Sequence, residues 1–209
     1  MQFYISDPDI ETIKTAAEII KKGGVVIFPT ETVYGIGADV FNTKAIKKIF
    51  KIKGRSFSNP LSVHLSNKKD IQEIAVNLSD IAYMIIEKFL PGPLTIVLEK
   101  NKNIPDEVTA GKKTVGIRIP DHPVALRFIE ESQTFIAAPS ANFSGEKSPK
   151  NISEIPEKIL SSVDFILDCG DTKIGVPSTV IDLTQNPPVI LREGAIRKQE
   201  IQEVIRTLR

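Results

Sequence analysis

The alternation of amphipathic helical segments with short apolar segments is the feature that most limits the fold of this chain. The segments 43–52 and 81–89 carry apolar residues at helical spacing. In the segments 61–65 and 114–119, apolar residues instead occupy every second position, as in a strand with one buried face. Helices interleaved with strands predict an α/β fold, and several connections are too short for parallel crossovers, so we expect a mixed sheet.

Local signals predict where these elements begin and end. Asp9 is suited to cap a first helix that Gly23 and Gly24 would end, and Gly54 would end the next helix. Pro91 would stop the helix over 81–89. Further helices are predicted over 121–131, 153–161 and 198–208, and further strands over 25–28, 94–98, 134–138, 164–167, 179–183 and 189–191.

Length and composition indicate one domain spanning residues 1–209. A chain of 209 residues can bury one core, and we find no internal repeat, low-complexity segment or linker. The net charge of +1 gives no overall bias toward nucleic acid. No apolar run reaches the length of a membrane-spanning helix, and a single cysteine, Cys169, excludes an intramolecular disulfide. We therefore expect a cytoplasmic protein without membrane contact, in which Cys169 is a small buried side chain ending a strand.

Several common catalytic motifs are missing from the sequence. There is no G-x-x-x-x-G-K-[ST] and no G-x-G-x-x-G, so neither standard nucleotide-binding loop is present. A Ser-His-Asp hydrolase is disfavoured, because no G-x-S-x-G occurs and His64 and His122 are the only histidines. We expect His122 to cap a helix or lie at the surface. Any metal would be a hard cation bound by oxygens or by a phosphate ligand.

Five polar segments lie at the ends of predicted strands or helices, where α/β proteins commonly bind ligands. They are FPTETVYGIG (28–37), KIKGR (51–55), PSANFSG (139–145), PST (177–179) and LREG (191–194). Cations around Gly54 could clamp phosphates, although each segment alone also fits a capped turn or a solvated helix end. The alternation places His64 off the apolar face of its strand, and we expect Arg118 to be presented rather than buried among hydrophobic residues.

Together and in this order, the polar segments closely resemble those of the YrdC family of threonylcarbamoyl-AMP synthases. The matching text is FPTETVYGIGAD from Phe28, KIKGRSFSNPLSVHL from Lys51, FLPGPLTIVL from Phe89, VGIRIPDHP from Val115, APSANFSG from Ala138, PSTVIDL from Pro177 and ILREGAI from Ile190. Seven ordered motifs over roughly residues 10–197 are far more specific than one short pattern. The resemblance implies a YrdC-like twisted open mixed sheet with flanking helices and a concave basic cleft, in the short single-domain form.

The resemblance also implies an activity. Members of this family form threonylcarbamoyl-AMP and pyrophosphate from L-threonine, bicarbonate or CO₂, and ATP, with Mg²⁺. The product passes to a tRNA threonylcarbamoyl transferase complex that makes N6-threonylcarbamoyladenosine in tRNA. We therefore expect a nucleotidyltransferase whose nucleophile is generated on the substrate, without a covalent enzyme intermediate.

Matching positions of the family motifs imply the site residues. The expected L-threonine contacts are Thr32, His64, Arg118, Ala138 and Ser178. The expected ATP contacts are Lys53, Arg55, Asn59, Thr114, Ser140, Ser148 and Arg192, and the resemblance also implies a catalytic role for Lys53 and Arg55. The cations would stabilise charge on the phosphoryl oxygens. No ligand is assigned to Mg²⁺, and Glu31 and Tyr34 receive no role.

Two alternative functions stay open at this point. Six cations between Lys44 and Arg55 would suit a module that binds double-stranded RNA or tRNA without its own catalysis, or an enzyme with an accessory tRNA contact. Sparse aromatic residues among these cations count against the RNA module. The other alternative is carbamoyl-adenylate chemistry on another substrate, as in the similar domain of hydrogenase maturation proteins. Some family members carry a C-terminal domain, so the means of closing the cleft is also open.

Overall fold

The computed structural model describes the backbone of residues 4–6 and the whole of residues 8–206. The helices are α1 Ile10–Lys21, α2 Thr43–Lys53, α3 Ile71–Ile74, α4 Asp80–Phe89, α5 Asp106–Thr109, α6 Pro123–Ser132, α7 Glu157–Leu160 and α8 Lys198–Arg206, with 3₁₀ turns at Lys68–Asp70 and Ile152–Glu154. The strands are β1 Tyr4–Ser6, β2 Val26–Phe28, β3 Gly35–Asp39, β4 Ser62–His64, β5 Ala75–Val76, β6 Leu94–Lys100, β7 Thr114–Arg118, β8 Ile136–Ala138, β9 Phe165–Asp168, β10 Thr179–Asp182 and β11 Val189–Arg192.

The strands form one mixed sheet. Their order is β1-β9-β2-β3-β8-β4-β7-β6-β10-β11, and β5 pairs with β6 outside this path. Strands β1 and β2 run parallel to β9, β4 parallel to β7, and β6 parallel to β10. The remaining pairs are antiparallel. The predicted α/β class, with a mixed open sheet and flanking helices, is confirmed.

The first helix ends lie where the local signals predicted. The Asp9 carboxylate accepts a hydrogen bond from Thr12 N at 2.8 Å and caps α1. Gly23 follows this helix with a φ of 83°, and Gly54 follows α2 with a φ of 59°. Glycine adopts this left-handed conformation without the steric cost that a Cβ would bring. Both helix stops are therefore encoded locally.

Strand β2 is covered on both faces. Ile27 belongs to the larger apolar core, which also contains side chains of α2 and α4. Val26 and Phe28 belong to a smaller core shared with α1 and α6. A strand buried on both sides has a continuous apolar sequence instead of an alternating one. The predicted buried strand is confirmed.

The segment that follows β2 differs from the prediction. Gly35 to Asp39 form strand β3, antiparallel to β2, where we expected a turn. Close packing explains the glycine at position 37: a Cβ on Gly37 would lie 2.5 Å from Ile136 Cγ2 and 2.9 Å from the Phe28 ring. Glycine therefore serves here to bring two strands against one aromatic ring.

Two helices of the structure also differ from those predicted. The helix predicted over 153–161 is divided by Pro156 into a 3₁₀ turn and α7, since proline cannot donate a helical hydrogen bond. Helix α8 is described up to Arg206, so its predicted end at Leu208 lies outside the described residues. Within residues 8–206, no helix combines the length and the apolar composition needed to cross a membrane.

Candidate active site

A cavity of about 730 Å³ lies over one face of the sheet. Its floor is made by alternate residues of four neighbouring strands, because side chains at positions i and i+2 of a strand share a face. The floor residues are Ser62 and His64 of β4, Thr95 and Val97 of β6, Thr114, Gly116 and Arg118 of β7, and Val180 and Asp182 of β10. The walls come from the turn before β3, Arg55 with the segment 60–61, the segment 138–140, Ser148, the segment 177–178, and Leu191 with Arg192.

Strand register places three polar side chains side by side at the deep end of the cavity. His64 is in register with Arg118. The antiparallel pairing of Ile96 with Ile117 places Thr95 opposite Arg118. His64 and Arg118 are each 5% exposed, and Thr95 is 3% exposed. The deep end is therefore polar and almost sealed from solvent.

A second row of floor residues lies nearer the opening. Gly116 is in register with Ser62 and Val97, and Val97 is in register with Asp182. All four are half-buried. A Cβ on Gly116 would lie 3.3 Å from both Ser62 Oγ and Thr95 Cγ2. Glycine at this position therefore leaves space for a ligand above the centre of the floor. The cavity thus widens from a buried end toward solvent.

Arg118 is held by the turn before β3. Its Nη2 donates to Thr32 Oγ1 at 2.6 Å and lies 2.9 Å from Glu31 Oε1, with both charged side chains buried. Apart from this ion pair, neither oxygen of Glu31 has a hydrogen-bond partner in the part of the chain that the structure describes. Burial lowers the pKa of Arg118, and the Glu31 charge opposes that shift. Arg118 lies on the expected face and lines the cavity among polar groups, but it is less exposed than expected because the turn covers it.

His64 is buried beside this ion pair. Its ring meets the Phe28 ring edge-on, with centroids 5.9 Å apart at 88°. Burial and the Arg118 charge lower the pKa of His64 to about 3. The imidazole is therefore neutral near pH 7, and its Nδ1 has no hydrogen-bond partner among the described residues. A neutral imidazole can accept one hydrogen bond from a ligand and donate another.

The turn that carries Glu31 and Thr32 is tied to the chain just after β9. The Tyr34 hydroxyl donates to Gly170 O at 2.8 Å and accepts from Cys169 N at 2.9 Å. Burial raises the pKa of Tyr34, so the hydroxyl keeps its proton. Tyr34 therefore anchors the turn, while Glu31 neutralises the buried arginine. Cys169 itself is half-buried, less than predicted.

Two further guanidinium groups line the cavity. Arg192 Nη2 donates to Ser178 O at 2.8 Å, and Arg55 Nε donates to Asn59 O at 3.1 Å. Burial lowers the pKa of both groups; Arg192 lowers that of Arg55 further, and Arg118 lowers that of Arg192. The three guanidiniums thus repel one another across the cavity. A bound anion between them would relieve this repulsion.

The charge on the cavity wall favours an anionic ligand. Within the described residues, the lining of the cavity carries five cationic side chains, among them Lys112 and Lys113, and one carboxylate, Asp182. No group of three or more His, Cys, Asp or Glu side chains in residues 8–206 could hold a metal ion.

Lys53 lies beneath the cavity wall. Its side chain is 2% exposed, and its Nζ donates to the backbone carbonyls of Ser140 and Asn142. Burial, and then the charge of Arg55, lower the pKa of Lys53 to about 7. The lysine therefore fixes the backbone of a wall segment.

The structure brings most of the predicted site residues to one cavity. Those that line it are Arg55, His64, Thr114, Arg118, Ala138, Ser140, Ser148, Ser178 and Arg192. Three predicted residues lie behind the residues that line the cavity. Thr32 contacts Arg118, Lys53 contacts the backbone of Ser140, and Asn59 contacts Arg55. Whether any of these residues contacts substrate stays a prediction.

Comparison with known proteins identifies the family. A family model named for Sua5, YciO and YrdC and described as telomere recombination matches residues 18–194. The chain belongs to the Sua5/YciO/YrdC family. The predicted resemblance to YrdC proteins is thereby confirmed over most of the chain.

Relatives of this Sua5/YciO/YrdC family member include named synthases. It is 45% identical over 197 residues to a threonylcarbamoyl-AMP synthase of Pyrococcus abyssi, covering 94% of this chain and 58% of that protein. It is 42% identical over 195 residues to a protein of Methanocaldococcus jannaschii named putative threonylcarbamoyl-AMP synthase, covering 91% of each. The crystal structure of P. abyssi Sua5 complexed with L-threonine matches with a TM-score of 0.94 at 43% identity, covering 98% of this chain and 61% of that one. The chain thus spans less than two thirds of the P. abyssi protein.

Several residues of this family member's site had not been singled out in the sequence. Glu31 gave no signal of its role, because its partner Arg118 is distant in sequence. Thr95 was recognisable only as the polar residue inside the apolar segment LTIVL. His122 directly precedes α6, but its side chain makes no capping hydrogen bond, and burial lowers its pKa. The capping role expected for His122 is therefore wrong.

Proposed function

We propose that this chain synthesises L-threonylcarbamoyladenylate. Its substrates are L-threonine, bicarbonate or CO₂, and ATP, and its products are the adenylate and pyrophosphate. The names of the relatives and the bound L-threonine in P. abyssi Sua5 support the proposal. The observation that carries it is a single cavity that joins the buried Arg118 to the guanidiniums of Arg55 and Arg192.

The amino acid occupies the deep end of the cavity. Its carboxylate meets Arg118, because a guanidinium offers several N–H donors in one plane. Thr32 fixes the orientation of that guanidinium through its hydroxyl. Neutral His64 offers an uncharged partner to the amine and the side-chain hydroxyl, and the Ser178 hydroxyl and the backbone at Ala138 line the same cavity.

The reaction needs positioning and charge stabilisation more than an enzyme nucleophile. The free threonine amine forms a bond to the carbon of CO₂ and releases one proton to solvent, which gives a carbamate. A carbamate oxygen then bonds to the α-phosphorus of ATP, and the bond to the bridging oxygen breaks with its electron pair leaving on pyrophosphate. Arg55 and Arg192 stabilise the charge on the phosphoryl oxygens. This chemistry requires no triad, in agreement with the missing motifs.

The remaining predicted residues contact the nucleotide or position the groups that bind it. Thr114, Ser140 and Ser148 line the cavity and offer neutral donors and acceptors. Lys53 holds the backbone of the segment that carries Ser140, and Asn59 holds Arg55 through its carbonyl. We therefore assign Lys53 and Asn59 to positioning of the nucleotide site.

The cofactor and partners follow from the same proposal. Mg²⁺ would bind chiefly to the ATP phosphates and lessen their charge, since Asp182 is the single carboxylate among the described residues that line the cavity. The adenylate would pass to a tRNA threonylcarbamoyl transferase in the cytoplasm. Residues 1–209 would supply this activity as one domain.

A direct assay tests the proposed activity. The purified protein is incubated with ATP, Mg²⁺, labelled bicarbonate and each amino acid in turn, while pyrophosphate and labelled adenylate are followed. We expect L-threonine to give the largest turnover. Turnover with L-threonine no greater than with L-serine or buffer would refute the proposal.

A single substitution tests the anion end of the cavity. Arg55→Ala should abolish turnover and leave the circular dichroism spectrum unchanged. Arg127→Ala is the matched control, because Arg127 is 47% exposed on α6 and its ion pairs with described residues are to Glu130 and Glu131 of the same helix. Near-normal turnover of the Arg55 variant would show that Arg55 is not a catalytic residue.

RNA binding is the second candidate function, and the structure weakens its basis. The basic helix α2 presents Lys44, Lys47, Lys48 and Lys51. Lys47 pairs with Glu107 at 3.3 Å, and Lys48 pairs with Asp164 at 2.6 Å. Half of this basic surface is thus neutralised within the protein. Salt-sensitive tRNA binding without turnover would favour this alternative.

A further inference from the structure

A hydroxyl pair crosses the deep end of the cavity between β6 and the start of β10. Thr95 Oγ1 lies 2.8 Å from Ser178 Oγ, and the two side chains belong to residues 3% and 4% exposed. Both residues line the cavity. Register places Thr95 opposite Arg118, at a Cα separation of about 5 Å for antiparallel neighbours. The pair is therefore next to the proposed carboxylate site.

The two hydroxyls carry two protons, and the hydrogen bond between them uses one, so one O–H donor is left over. Arg192 Nη2 lies 3.3 Å from Ser178 Oγ and donates to it. If Thr95 also donates to Ser178, both lone pairs of Ser178 are used and its own proton points elsewhere. If Ser178 donates to Thr95 instead, the Thr95 proton is the free one. In either case one buried O–H has no acceptor among the described hydrogen bonds of these two residues.

A buried O–H without an acceptor is costly, so its position predicts a ligand atom. The matching atom accepts but does not donate. An ionised carboxylate has this property, and its hydrogen bonds to neutral donors are stronger than those of an uncharged acceptor. Arg118, opposite Thr95, supplies the positive charge that fixes such a group in place.

We infer that Thr95 is a further substrate-positioning residue, which together with Ser178 directs one O–H to the carboxylate of the amino acid bound at Arg118. This inference rests on the proposed function and adds a residue and an assigned substrate group to it. Thr95 acts with Ser178 as a unit, because the proton of one hydroxyl is aimed by the other.

Binding measurements on substituted proteins test this inference. Isothermal titration calorimetry gives Kd for L-threonine and, separately, for a non-hydrolysable ATP analogue. Thr95→Val removes the hydroxyl and keeps the side-chain shape, and we expect the Kd for L-threonine to rise roughly ten- to hundredfold, as for loss of one hydrogen bond to a charged group. The Kd for the ATP analogue should not change. Thr95→Ser should regain most of the lost affinity, which a purely structural role for the side-chain methyl would not produce.

Two controls isolate the hydroxyl pair. Thr134→Val is the matched control, since the Thr134 hydroxyl donates to Asp39 at 2.7 Å and does not line the cavity. In the double variant Thr95→Val with Ser178→Ala, the effects should be far from additive, because either change alone disrupts the unit. Additive effects would overturn the inference that the two hydroxyls act together.

A substrate analogue identifies the group that accepts the proton. L-2-aminobutyrate keeps the carboxylate of threonine and lacks its side-chain hydroxyl. Thr95→Val should weaken both ligands by the same factor. If only L-threonine is weakened, the contact is to the side-chain hydroxyl and the carboxylate assignment is wrong.

The test separates this inference from the proposed function. If the unsubstituted protein binds L-threonine and the folded Thr95→Val protein binds it equally well, the inference is refuted and the proposed function stands. If the unsubstituted protein binds no L-threonine, the proposed function is refuted and the inference with it. Thermal unfolding of each variant verifies that it is folded.

Discussion

Replacing Glu31 by glutamine should expose how the buried Arg118 is tolerated. The two groups form an ion pair at 2.9 Å, with side chains that are 4% and 6% exposed. The Glu31→Gln change keeps the volume of the side chain and removes its charge. Arg118 then keeps the uncharged glutamine oxygen and the Thr32 and Thr30 hydroxyl oxygens, the latter two at 2.6 and 3.4 Å. A guanidinium is left without a counter-charge in a nearly dry site.

The size of the effect follows from the cost of one unpaired buried charge. Removing one partner of a buried ion pair destabilises proteins by about 3–5 kcal/mol. We expect about 3 kcal/mol here, because two hydroxyl acceptors remain on the guanidinium. For a domain of this size that corresponds to a fall of roughly 6–12 °C in melting temperature.

Equilibrium urea denaturation measures the free energy of unfolding of both proteins. The control is Glu18→Gln, because Glu18 pairs with Lys21 at the same 2.9 Å but is 54% exposed. That exposed pair should give no measurable change. Since a substrate carboxylate could replace the lost charge, L-threonine should also raise the melting temperature of the Glu31 variant more than that of the unsubstituted protein.

Two results would refute this reasoning. A loss below about 1 kcal/mol in the Glu31 variant would mean that Arg118 does not depend on this counter-charge, since buried pairs cost several times more when broken. Equal stabilisation of both proteins by L-threonine would mean that the carboxylate does not compensate Arg118. The first result concerns the fold, and the second concerns the assigned ligand site.

Three further predictions concern buried polar groups. Tyr34→Phe should cost about 1–3 kcal/mol, since Gly170 O and Cys169 N each lose a buried partner; urea denaturation measures this, and an unchanged midpoint would contradict the anchoring role. The pKa of His64 is lowered from 6.5 to about 3, so the unfolded chain binds the proton first as the pH falls. The free energy of unfolding should therefore fall below pH 6.5 by up to about 1.4 kcal/mol per pH unit because of this group. The His64→Gln variant should lose less stability over the same pH range. The pKa of Lys53 is lowered from 10.5 to about 7, so the unfolded chain holds more protons between these values and stability should rise with pH across that window. Lys53→Met should remove this rise, and a rise of the same slope in the variant would assign it to other groups.

Local signals in the sequence were sufficient for helix ends and for the direction of strand side chains. The stops at Gly23 and Gly54 need only a residue that adopts positive φ, and the cap at Asp9 needs only a carboxylate three residues before an amide. Alternation likewise placed His64 and Arg118 opposite the apolar residues of their own strands, because the strand period is two residues. Segments of one turn or three residues, such as α3 and β1, escaped prediction because they are too short to show a period.

The sequence by itself determined the α/β class, the family and the set of polar segments that meet at one cavity, because these depend on periodicity and on ordered motifs within the chain. Only the tertiary structure decided which of those residues face the cavity and which support it. Glu31 and Arg118 are distant in sequence and are brought together by the pairing of several strands. Lys53 likewise contacts Ser140, which lies 87 residues later in the chain. Burial then sets their charge states, since desolvation depends on everything packed around a group. Neither the pairing nor the burial is a property of any local stretch of residues.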